Sequence, residues 1–181
     1  MFRAVPMSMR LLVIVLPLLC LAAGSAFAAS ADVNAQLKKI SEEREKSVGY
    51  AKIAKVTFKK QQRKLTQAML YYTDAKSIGN PMIQHLQTSL TSKSMKESEV
   101  RDMLSEDVKR LVTVNEKFRA FIEFGSSSNR ALPVAAVASM AGPVTDACVN
   151  LWKQYKDADK KKVDDMVQVL EGYKWEGWDK L

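Results

Sequence analysis

The amino-acid sequence predicts an all-α protein, an elongated antiparallel bundle of three or four helices, and three observations carry that prediction. The stretch from Ala31 to Tyr72 contains no proline and repeats small or apolar residues on a heptad. Val33, Ile40, Ala54 and Ala68 share one seam position, and Leu37, Ala51, Phe58, Leu65 and Tyr72 the other. Between Val100 and Ile122 a second apolar set, including Leu104, Val108, Leu111, Phe118 and Phe121, covers well under half of a helical circumference. No segment carries a strand signal.

Met1 to Ala28 has the layout of a signal peptide. Arg3 and Arg10 frame the start, Leu11 to Leu21 is apolar, and Ala26-Phe27-Ala28 offers small residues where a signal peptidase reads. Residues 29–181 are then expected to form a single helical domain, exported to a periplasm or, second, to the extracellular space. Cys148 is the one cysteine beyond that segment, so no internal disulfide can form, which suits a bacterial periplasm.

The first helix is expected over about residues 32–77, with a bend near Gly49. At about 1.5 Å per residue it would be a rod on the order of 70 Å. Such a rod cannot bury its own stripe, so the rest of the chain must pack along it. Residues 31 to 80 hold eleven Lys or Arg against five Asp or Glu, whereas the remainder of the chain beyond them is balanced. Lys52, Lys55, Lys59 and Arg63 recur at spacings of three, four and four. In one helix they would stack into a basic edge turned away from the apolar stripe, able to attract an anionic partner.

Gly79-Asn80-Pro81 predicts a helix end and a restart, with Met82, Ile83, Leu86 and Leu90 as a short apolar stripe. Ser94 and Glu97 have capping-box spacing ahead of the strongly amphipathic segment, which ends at Gly125 in the loop 125–130. Pro133 opens a short run of small residues, Val134 to Ala141, closed by Gly142-Pro143. From there Val144, Ala147, Cys148, Leu151, Trp152 and Tyr155 resume the core pattern, which places Cys148 on the apolar side. Asp157 and Asp159 precede a last helix bearing Val163, Met166, Val167 and Leu170. The tail, about 171–181, reads as flexible and aromatic. Its Trp175 and Trp178 are candidates to anchor a partner, or else fold back to close one end of the bundle.

Chemistry that needs a dedicated ligand set finds none here. His85 is the single histidine and lies beside Gln84 and Gln87, and the zinc, di-iron, haem-attachment and dithiol motifs are missing. A nucleophile elbow and a phosphate-binding loop are missing as well. No catalytic residue, metal or cofactor is therefore expected, and the chain is read as a binding protein rather than an enzyme. The candidate partner-binding residues are Lys52, Lys55, Lys59, Arg63, Trp175 and Trp178. The expected partner is a protein, with an anionic lipid or lipopolysaccharide surface and a second copy of the chain as alternatives; nucleic acid is disfavoured because the basic edge lacks interleaved aromatics.

In layout, a signal peptide followed by a basic, long-helix chain, the sequence resembles periplasmic holdase chaperones and, in outline, the helical minor-pilus and mating-channel proteins of conjugation systems. Glu42-Glu43-Arg44 and Trp152-Lys153-Gln154-Tyr155 also resemble elements of the secreted helical effectors of oomycetes. These resemblances imply an adaptor- or chaperone-like role, with a structural subunit of an envelope or secretion assembly, or an effector acting on a host protein, as alternatives. None assigns a role to an individual residue.

Overall fold

The computed structural model describes residues 30–125 and 133–181; the expected signal peptide, and the loop after Gly125, lie outside them. The described residues are all helical or irregular. Five α-helices, α1 (Ala31–Thr57), α2 (Gln62–Thr91), α3 (Glu97–Phe124), α4 (Val134–Tyr155) and α5 (Lys160–Glu171), are followed by a 3-10 turn at Trp178–Lys180. The all-α expectation therefore stands, while the count of three or four does not.

The difference begins in the first helix, which is two helices. The chain leaves helical geometry at Phe58 and re-enters at Gln62, so the 32–77 rod folds back on itself. No glycine or proline marks the place. Continuing the helix would set Lys55 against Lys59, Lys59 against Arg63 and Lys60 against Lys64 at like-charge spacings, each unfavourable. Turning instead buries Phe58 beside Phe121, with ring centroids 5.3 Å apart. Tyr71 of α2 stacks on Phe118 at 5.6 Å and Tyr50 of α1 meets the same ring edge-on. These contacts close the aromatic end of the core.

From that corner α1 to α4 run alternately up and down. α1, α2 and α3 meet through the aromatic cluster at one end, and at the other Gln154 of α4 bonds Asp32 of α1 while Lys153 pairs with Glu97 at the start of α3. α5 then returns along α2, where Gln87 donates to the Val167 main-chain oxygen and to Glu171.

α1 stays helical through Gly49. Two expected breaks are absent. α2 runs through Gly79-Asn80-Pro81 although Pro81 withholds an N–H from the helix. Burial of Ile78, Met82, Ile83, Leu86 and Leu90 on either side outweighs that local loss. α4 likewise continues through Gly142-Pro143, where Ala141, Val144, Ala147 and Cys148 are buried in succession. The start of α3 falls two residues later than Ser94 suggests. Glu99 accepts from the Lys96 N–H at 2.9 Å, and Lys96, having no acceptor, leaves the box half formed. At α5 the expectation holds, with Asp159 accepting from the Lys162 N–H. At the end of α3, Gly125 takes the left-handed conformation that a helix C-terminus favours, at φ 64°.

Between α1 and α3 the core contains a polar cluster. Glu43 is only 1% exposed. Asn115 donates to its carboxylate at 2.7 Å and to its main-chain oxygen at 2.9 Å. Ser47 donates to the Asn115 side-chain oxygen at 2.6 Å, and the Lys46 ammonium reaches Glu43 from the rim at 2.5 Å. Each buried group thus has a partner, the condition for such a cluster to be tolerated.

Candidate interaction surface

The corner between α1 and α2 gathers most of the chain's excess positive charge. Lys52 lies on the last turns of α1, Lys59 and Lys60 in the turn itself, and Arg63 in the first turn of α2; all four are exposed. None is ion-paired with a carboxylate among the described residues, whereas the acids of α3 to α5 are largely taken by neighbouring bases. Segments 1–29 and 126–132 contain no Asp or Glu. The four expected cations do not form one helical stripe, because the chain turns between Lys55 and Arg63. Lys52, Lys59 and Arg63 form a cap around the corner instead, and Lys60 belongs with them.

Lys55 has a different task. Its ammonium donates to the main-chain oxygens of Trp178 and Leu181 at 2.7 and 3.0 Å and lies 5.1 Å from the Trp178 ring centre. It is one of a row of side chains on α1 and α2 that grip the tail. Arg44 donates to the Lys174 oxygen and Tyr72 to the Glu176 oxygen, each at 3.1 Å. Asn80 accepts from the Trp175 N–H at 2.6 Å and donates weakly to the Trp175 oxygen at 3.4 Å.

Trp175 itself is 3% exposed. Its ring lies on Gly79, where a Cβ would sit 2.4 Å from the nearest ring carbon. Its indole N–H has no acceptor among the described residues, so the ring is held by shape. Trp178 is half-buried against Tyr72, with ring centroids 5.8 Å apart. The two tryptophans are thus packed along α2, and the six candidate residues separate into a surface group (Lys52, Lys59, Arg63) and a tail-holding group (Lys55, Trp175, Trp178).

Gly79 and Asn80 resemble turn residues in sequence, yet here they receive the tail. That role was legible only as an anomaly: Gly-Asn-Pro beside a regular apolar stripe. The buried Ser47 and Asn115 left a similar trace, since Ser47 occupies a seam position and Asn115 interrupts an apolar face.

The remaining reactive groups are placed structurally. Cys148 is fully buried on α4, and burial pushes its thiol up to about 12, which keeps it protonated and inert. His85 joins α2 to α3, its Nδ1 2.6 Å from the Asp107 carboxylate. A shallow depression between α2 and α3 is lined by Ile78, Glu106, Lys109, Arg110, Thr113 and Val114, a mixed surface without converging buried polar groups.

The chain matches no protein-family model, no curated protein and no solved structure in the three comparisons made.

Proposed function

We propose that the protein is an exported, adaptor- or chaperone-like binding module that captures an anionic partner through the corner between α1 and α2. The observation that supports this reading is the cap of Lys52, Lys59, Lys60 and Arg63, exposed together and unpaired among the described residues. Clustered like charge without countercharge raises the potential locally and speeds encounter with an anion. A face kept basic only for solubility would be interspersed with acids, as α3 and α5 are.

The test is charge reversal of Lys52, Lys59 and Arg63 to Glu, leaving Lys55 to hold the tail. Retention on immobilised poly-glutamate at low salt should be lost while the helical circular dichroism stays unchanged. Undiminished retention by the reversed variant would refute the reading. Wild-type retention should also fall steeply as salt shortens the Debye length from about 30 Å at 0.01 M to about 8 Å at physiological strength.

A further inference from the structure

We infer that the anionic partner of this corner is a bilayer surface, onto which the bundle docks end-on; the inference rests on the reading above. Four helix termini converge at that end: the close of α1, the start of α2, the close of α3 and the start of α4. The most exposed large apolar side chains of the described residues are there, Val56 at 80%, Phe124 at 73% and Val134 at 85%.

α4 deepens the pattern. Its first seven residues, Val134 to Met140, include none that is fully buried, although all but Ser139 are apolar. No ionisable side chain occurs on it before Asp146. A helix whose opening turns face solvent without a charge has its outward face unpartnered.

At the corner between α1 and α2, at this same end, stand the exposed Lys59, Lys60 and Arg63, and the Lys64 ammonium comes within 3.1 Å of where a Cβ on Gly125 would lie. The acid nearest on α3, Glu123, is already held by Arg119 through two contacts of 2.8 Å. Apolar tips beside exposed cations match the boundary between acyl chains and anionic headgroups. A soluble polyanion would engage the cations and leave Phe124 and Val134 in water. A neutral apolar patch on a protein would leave the cations without partners. An anionic lipid surface uses both sets.

Contact is confined to the tip. α4 is long and apolar enough to cross a membrane by length and composition, yet from Ala141 onward it is built into the core and carries Asp146 and Lys153. The opening turns can therefore dip into the interface while the remainder of α4 stays with the bundle.

The experiment is sedimentation of the purified protein, in the N-terminal form the producing cell yields, with phosphatidylglycerol-containing vesicles and with pure phosphatidylcholine vesicles. Binding should occur on the first and be near background on the second. Phe124→Ser with Val134→Ser, both solvent-facing and so compatible with folding, should weaken it roughly tenfold. Lys59→Gln and Lys60→Gln should each weaken it roughly fivefold. Circular dichroism of each variant shows that the bundle persists.

Vesicle binding that is absent, or unchanged by the serine pair, overturns the inference. Absent vesicle binding with poly-glutamate retention intact leaves the charge-based reading standing, whereas loss of both removes the two together. If light scattering shows that the serine pair turns a dimer into a monomer while vesicle binding is unaltered, the apolar tips serve self-association and the inference falls.

Discussion

Asn115 shows what a single side chain does for this core. The Glu43 carboxylate is almost wholly removed from water, and Asn115 donates one bond to it and one to the Glu43 main-chain oxygen while accepting from Ser47. Removing one member leaves a buried charge under-partnered, which costs more than the pair contributes when intact. Asn115→Ala should lower unfolding stability by about 3 kcal/mol in a denaturant titration. Replacing both Glu43 and Asn115 by leucine should recover much of that loss, since two apolar groups make no such demand. If the single variant is neutral, the cluster is not holding α1 to α3. Seam arithmetic revealed Val33, Leu37, Ile40, Ala51 and Ala54, all of them buried, because apolar residues obey a period. It did not reveal Glu43, because a buried charge obeys only its partners.

At the level of elements, the helical type was legible, whereas the number of helices and their boundaries were not. The strongly periodic α3 ends at Gly125 as expected, since its stripe, its acidic first turn and its terminal glycine agree. Where local and tertiary preferences conflict, tertiary burial decides. Proline lies inside α2 and α4, and a break falls at Phe58–Gln61 with no local breaker. Local signals record what one segment prefers alone, whereas these outcomes depend on what packs against it. Gly79 is the sharpest case, its absent side chain being a space for the Trp175 ring. Gly79→Ala should help an isolated helix by roughly 1 kcal/mol, yet here it should destabilise the tail by about 1–3 kcal/mol through overpacking. Tryptophan emission should shift to the red and the segment after Gly172 should become susceptible to protease. Unaltered emission would mean that the ring has another resting place.

Over the whole molecule, the paired surface carboxylates couple folding to pH on the acid side. A hydrogen bond from Lys153 holds Glu97 below its usual 4.5. The Lys162 N–H does the same for Asp159, ordinarily at 3.8, and Lys174 followed by Gln87 for Glu171, ordinarily at 4.5. Each carboxylate is easier to ionise folded than unfolded. Its contribution is complete above the unfolded value and is lost as the pH falls through the lower, folded one. The melting temperature should therefore hold steady from neutrality to about pH 5 and decline below it. Asp159→Asn should flatten part of that decline, and a decline already complete at pH 6 would contradict the assignment. Each group is exposed, so its share is small.

The grip on the tail has a consequence for how freely this sequence can vary. Arg44, Lys55, Tyr72 and Asn80 hold it by main-chain atoms, and such a grasp is indifferent to which residue owns the carbonyl. Positions 176 and 179, exposed on the outer side, are open to nearly any replacement but proline, whereas 79, 80 and 175 form an interlocking trio that must change together or not at all. Deep mutational scanning of the C-terminal decade would then show an uneven profile, permissive at its charged letters and strict at its single enclosed ring.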